Sequence, residues 1–275
     1  MQLHQVPARQ GFVWVRRGFQ VYLSQPLATT FLFATFLFGA LLLLMIPGLG
    51  VLLLLMALPL VSLGFMIASR NSLDGKRAGP RVFAEGLQGP PGQRKAMLIL
   101  LGCYAAANII VMLLSDAIDD GRLEALQAAV VSDQAVSPEA LGAMLGDSRL
   151  FWAMALRLLL TSLIALPFWH APALIHWQGQ GVGQSLFTSS LACWRNRGAL
   201  TIYGLGWLLL ILLFSVLANT LVALIGEPRL LALAAMPAGL MFSTAFYTSL
   251  YFTYADVFRP TGTQLAPTLN QAGQT

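Results

Sequence analysis

One ionisable side chain stands inside the long apolar runs of this 275-residue chain: Arg157, seven residues past Leu150. A charge at membrane depth costs about 2.5–3.5 kcal/mol on insertion scales, so it marks either a polar cavity or an escape route to water. Asn108 and Asn219, each alone in an apolar run, would join Arg157 around the cavity of a transporter or lipid-handling protein; asparagines equally serve as plain interhelical hydrogen bonds. Seven residues of helix rise about 10 Å. The Arg157 side chain could therefore reach the outer interface, or pair with Asp116 or Glu227.

Other residue types offer less. His170 and His176 are six apart, which does not put two metal ligands on one helical face, and no neighbouring carboxylate completes a set. The stretch Trp169 to Trp177 instead reads as an interfacial belt of tryptophans and imidazoles. Trp194, Arg195 and Arg197 combine aromatic and guanidinium groups in a way that suits phosphate headgroups or a partner membrane protein. Arg16 and Arg17 offer the same chemistry near the N-terminus. No G-x-S-x-G, P-loop, H-E-x-x-H or intramembrane carboxylate pair is present, so the expectation is a non-enzymatic protein without cofactor, metal or nucleic-acid partner.

The elements that must position these residues follow from composition. With 57% hydrophobic and 10% charged residues, the chain is not an ordinary soluble domain. Its apolar residues gather into six runs, Leu27 to Ile46, Leu49 to Ala68, Ala96 to Ser115, Leu150 to Phe168, Leu200 to Ile225 and Leu230 to Tyr254. Each is long enough to cross a hydrocarbon core of roughly 30 Å. The runs lack period-2 alternation, so the fold class is all-α: a polytopic membrane bundle of six transmembrane helices. Pro47-Gly48 and Gly226-Glu227-Pro228-Arg229 make tight hairpins of the first and last pairs, and Pro59, Pro167 and Pro237 fall in the even-numbered spans.

Charge orients the bundle. Arg9, Arg16, Arg17, Arg70, Lys76, Arg77, Arg81, Arg94, Lys95, Arg195, Arg197 and Arg259 lie on one side, twelve of the sixteen basic residues. Basic residues stay cytoplasmic, which predicts both termini inside. About 26 residues precede the first apolar run, and another run follows it at once, so the first span is expected to remain as an anchor without a cleavable signal. Cys103 and Cys193 fall where no oxidising compartment reaches, and both are expected to be free thiols.

Each odd-numbered span is preceded by a short amphipathic segment. In the first, Phe12, Val15, Phe19, Tyr22 and Leu23 take one face, and Arg16, Arg17, Gln20 and Ser24 the other. The second carries Val82, Phe83 and Leu87; the third carries Leu186, Phe187, Leu191 and Trp194. Such elbow helices are expected in the cytoplasmic interface among anionic lipid headgroups, and their recurrence implies a threefold elbow-hairpin repeat within a single domain, residues 1–259. Residues 116–149 are expected to form an outer cap with helices at Leu123 to Val131 and after Ser137-Pro138-Glu139, and residues 260–275 are expected to be a disordered tail.

The run Trp169-His170-Ala171-Pro172-Ala173-Leu174-Ile175, followed by Ala192-Cys193-Trp194-Arg195-Asn196-Arg197-Gly198, resembles a pattern in uncharacterised six-span proteobacterial inner-membrane proteins. These are similar to the membrane domain of glycerophosphoryl diester phosphodiesterases. Val6-Pro7-Ala8-Arg9 and the segment Ser249 to Phe258 extend the resemblance over most of the chain. It implies a multi-pass bacterial inner-membrane protein of unassigned role. These residues hold no counterpart of the soluble catalytic domain of the phosphodiesterases, so the resemblance is not expected to carry over their activity or any catalytic residue.

Overall fold

The computed structural model describes residues 2–119, 146, 148–225 and 229–259. The expected outer cap and the tail after Arg259 lie outside them. Apart from a two-residue antiparallel pairing of β1 (Gln2–Leu3) with β2 (Phe258–Arg259), the regular structure is helical. In chain order the helices are α1 (Gln10–Ser24), α2 (Pro26–Leu44), α3 (Gly50–Leu73), α4 (Val82–Glu85), α5 (Pro91–Asp119), α6 (Ser148–Phe168), α7 (Ala171–Gln178), α8 (Val182–Arg195), α9 (Arg197–Ile225) and α10 (Arg229–Val257).

Five stretches among the described residues are long and apolar enough to cross a membrane: Pro26–Leu44, Gly50–Leu73, Pro91–Ala117, Ser148–Gln178 and Arg197–Ile225. Many of their apolar side chains face outward, as Phe38 and Leu41 do on α2 and Leu208, Leu212 and Val216 on α9. Surfaces this continuously apolar need lipid around them. The sixth expected span is a 29-residue helix, α10, outside those five. It turns its polar residues inward: Thr244, Thr248, Ser249 and Thr253 are fully buried. Small hydroxylated residues of this kind let membrane helices approach closely and bond to one another. The prolines of the even-numbered runs, Pro59, Pro167 and Pro237, all lie within helices.

The chain forms two compact units. One comprises Met1–Ala34, Phe65–Gly79 and Trp194–Thr275, the other Thr35–Gly64 and Pro80–Cys193. Each draws on separated stretches of sequence, so neither is a segment that could be cut out of the chain.

In the first unit α1 packs along both α9 and α10. Gly11 faces the backbone at Ala199 and Tyr203, and Gly18 faces Ala245 and Ser249; a Cβ at either position would clash. These two glycines, with Trp14 and Val15 between them and Val21 beyond, form the buried face of α1. Gly11 meets Ala199, Phe12 and Val15 meet Gly206, and Phe19 stacks on Trp207 at 5.4 Å, so α1 advances along α9 almost residue for residue. It is therefore a helix laid lengthwise on its neighbours, with Trp14 rather than Phe12 at its packed centre. Phe33, Phe65 and Tyr247 form a separate aromatic cluster in the same unit, with ring centroids 5.0–6.0 Å apart.

In the second unit α5 packs on α6, with Tyr104 edge-on to Phe168 at 5.1 Å. The expected interfacial belt turns out to be largely core. His170 and residues 171–175 are buried, and α7 is a separate short helix held by the Gln93 amide, which donates to the carbonyls of Ile175 (2.7 Å) and His176. Ser189 explains the break. The His170 N–H, which in a continuous helix would reach the Leu166 carbonyl, donates instead to the Ser189 hydroxyl at 3.0 Å, and that hydroxyl donates onward to the Leu166 carbonyl at 2.9 Å. A side-chain oxygen inserted into the ladder at a proline is a recognised cause of a sharp helix break, and here it follows Pro167.

Candidate functional site

The N-terminal segment, the α8–α9 corner and the end of α10 are tied together by a polar set. Asp256 accepts hydrogen bonds from the Gln10 amide (2.6 Å), the Trp14 indole N–H (2.9 Å) and the Arg17 guanidinium (3.3 Å). Arg17 also lies 5.5 Å from the centroid of the Phe252 ring. Its charge is thereby committed to the fold, whereas Arg16, next to it in sequence, is exposed on the other side of α1. Asn196, 2% exposed, accepts the Val6 N–H at 2.8 Å and donates to the His4 carbonyl at 3.2 Å.

Asn196 divides its own motif. It anchors the corner from within, while Trp194, Arg195 and Arg197 on either side of it are exposed, Trp194 by 65%. The Arg197 guanidinium lies 5.5 Å from the Trp194 ring centroid and donates to the Trp194 carbonyl at 3.3 Å. The pair thus presents a flat aromatic surface with a fixed cation, an arrangement that receives phosphate or carboxylate groups. Helix α8 has an inverted distribution: its small or polar residues Ser185, Ser189, Ala192 and Cys193 are buried, and Phe187 (69%) and Leu191 (39%) are exposed.

A second feature lies between α1 and α9. There Phe12, Phe19 and Leu23 face Gly206, Leu209 and Leu210 across an open groove of about 450 Å³ whose lining is almost wholly apolar, with Arg16 and Gln20 at its border. Sequence reading placed Arg16 on the polar face of α1, but nothing in the spacing pointed to an apolar groove beside it.

The residues expected around a membrane cavity take more ordinary places. Asn108 donates to the Tyr104 carbonyl and Asn219 to the Ser215 carbonyl, each 2.8 Å away and one turn back on its own helix. Arg157 is half-buried on α6, and among the described residues no ion pair joins it to Asp116. Glu227, its other suggested partner, lies outside the described residues. Among the described residues no group of three or more His, Cys, Asp or Glu comes together in a way that could hold a metal ion.

Both cysteines are free thiols. Cys193 is buried, with its Sγ 3.5 Å from the Leu166 carbonyl, and burial pushes its thiol up to about 12, offset only in part by the Ser189 hydroxyl. The reactive species is the thiolate, so Cys193 should be inert at neutral pH. In a Cys103→Ala background, maleimide is expected to label the folded protein negligibly and the denatured protein fully; rapid labelling of the folded protein would show that the corner opens.

The helices define an α-helical, multi-pass membrane protein. No family model and no solved structure matches the chain. It is 33% identical, over 260 residues that cover 94% of each chain, to a probable inner membrane protein of Burkholderia thailandensis, and it belongs to the family of that protein. This relationship and the apolar helices together make it a multi-pass protein of the inner membrane.

Proposed function

We propose that the protein is a non-enzymatic inner-membrane bundle that holds anionic lipid headgroups at its cytoplasmic side, with Trp194, Arg195 and Arg197 at the α8–α9 corner and Arg16 on α1 as the contacting residues. The observation that carries this reading is the corner itself: a guanidinium fixed over an exposed tryptophan on a backbone anchored through buried Asn196. Large apolar side chains pointing outward and small polar ones inward suit a helix whose outer face meets acyl chains. In this reading α10 is the sixth span, both termini are cytoplasmic, and the three pre-span helices α1, α4 and α8 are the elbows of a threefold repeat. On the same reading, the sequence motifs that resemble the phosphodiesterase membrane domain would fit a lipid-centred role without catalysis.

Each basic residue near an anionic surface contributes about 1 kcal/mol. Replacing Arg195 and Arg197 together by glutamine should therefore lower affinity for phosphatidylglycerol by about thirtyfold at low salt, read by native mass spectrometry of the purified protein titrated with lipid. Affinity for phosphatidylcholine and the helical circular dichroism should not change. An unaltered phosphatidylglycerol affinity would remove the corner from any lipid role.

A further inference from the structure

We propose that the groove between α1 and α9 seats one acyl chain of an anionic phospholipid, with Arg16 holding the phosphate of its headgroup. This rests on the lipid association proposed above, and adds a defined binding site on a different surface from the corner. The walls are apolar and come from two helices, Phe12, Phe19 and Leu23 on one side and Leu209 and Leu210 on the other. Its volume, about 450 Å³, lies within the roughly 300–1,000 Å³ of small-ligand sites. Among the described residues Arg16 is the one charged residue that borders it; its stem joins the apolar wall, and its exposed guanidinium is left for the rim, where a headgroup phosphate would lie.

Helix length sets the depth of the groove. The 29 residues of α9 span about 43 Å, so some 13 Å, or about nine residues, extend beyond a hydrocarbon core of roughly 30 Å. The end that extends is the one bearing Arg197, because the chain from Gly198 to Ile225 carries no charge and its far end is Leu224 and Ile225. Counting nine residues in from Arg197 reaches Gly206, where the groove begins. Arg16 then stands at the level of lipid phosphates, and Leu209, Leu210 and Leu23 at the level of the first acyl carbons. A groove at this depth opens onto lipid. The neighbouring Arg17 is unsuited to the same task because Asp256 holds it at 3.3 Å.

The test uses the full chain in phosphatidylcholine vesicles that contain a minor fraction of phosphatidylglycerol with a photoreactive diazirine in its acyl chain. Cross-links are mapped by peptide mass spectrometry. They are expected to concentrate at Leu23, Leu209 and Leu210, above the level at Leu213 and Val216 elsewhere on α9. Gly206→Leu should abolish the concentrated labelling and spare Leu213 and Val216. A Cβ at Gly206 would meet Val15 and Phe12 at 3.4–3.5 Å, ordinary contact, so the added side chain enters the groove without a clash at its first carbon. Leu209→Trp, which fills the groove from a half-exposed position, guards against a folding defect in the first variant. Arg16→Gln should reduce groove labelling by phosphatidylglycerol about fivefold, the worth of one basic residue near an anionic surface, and leave labelling by the matching phosphatidylcholine probe unchanged.

Even labelling along α9 that neither filling variant alters would overturn the groove. So would labelling that ignores headgroup charge. If the groove fails while the Arg195/Arg197 replacement still weakens phosphatidylglycerol binding, the corner stands alone. Selective groove labelling with no effect of that replacement would leave the groove and remove the corner.

Discussion

Trp14→Ala is expected to destabilise the first unit by about 3–5 kcal/mol, the usual cost of deleting a fully buried large aromatic. The side chain is 0% exposed and its ring meets Tyr203 edge-on, with centroids 6.1 Å apart. Alanine would leave a cavity between α1 and its two neighbours and take away the indole donor that Asp256 accepts at 2.9 Å. Because Gly11 and Gly18 already bring the backbones into close approach, the helices have little freedom to collapse onto the hole. Thermal denaturation in detergent, followed by loss of the monodisperse peak in size-exclusion chromatography, reads the effect. Trp14→Phe keeps most of the volume and should cost only about 1–3 kcal/mol, chiefly for the lost hydrogen bond at Asp256. Equal melting of Trp14→Ala and the parent protein would contradict the packing described for α1.

The second large effect is expected at Asp256. Asp256→Ala withdraws the acceptor shared by Gln10, Trp14 and Arg17 and leaves the buried indole N–H without a partner. An orphaned buried donor costs about 1–3 kcal/mol, and hydrogen bonds to a charged group add to this. The Arg17 side chain is 41% exposed, so water compensates much of its loss, and the total expected is about 2–4 kcal/mol. Asp256→Asn retains one acceptor oxygen and should lose less than half as much. Since Trp14 and Asp256 are bonded, the Trp14→Phe and Asp256→Asn effects should not add: the double variant should melt above the temperature their separate losses predict. Strict additivity would mean that the indole and carboxylate do not interact in solution.

Neither residue stood out in the sequence, for physical reasons. Asp256 is 242 residues from Trp14, and a carboxylate two residues past an apolar run gives no hint of the donors it will meet. On α1 the helical spacing is legible, but the hydrophobic residues alone do not show which of its faces packs. The closest approach is made by Gly11 and Gly18, which have no side chain to count, and this turns Trp14 inward and leaves Phe12 and Leu23 outside. The stretch Trp169 to Trp177 misled in the opposite direction. Aromatic and imidazole groups suit an interface, yet a hydroxyl from Ser189, nineteen residues beyond His170, opens the helix after Pro167 and folds the stretch into the core.

What the sequence carried well was what depends on composition and local periodicity. The apolar runs became helices close to their expected bounds, as with Arg197–Ile225 for Leu200 to Ile225. The exposure of Trp194, Arg195 and Arg197 was also legible, since one motif cannot bury two guanidinium groups without partners. That Asn196 would be its anchor was not, because its partners, Val6 and His4, lie about 190 residues away.

The claim that this protein holds anionic lipid at its basic and aromatic surface is tested most directly by extracting it from the inner membrane into polymer-bounded discs without detergent. Mass spectrometry then identifies every lipid and protein that remains. The parent chain should carry anionic phospholipid enriched over the bulk membrane, and the Arg16, Arg195 and Arg197 to glutamine variant should carry the bulk composition. Bulk composition around both proteins, or a stoichiometric protein companion in place of an enriched lipid, would contradict it.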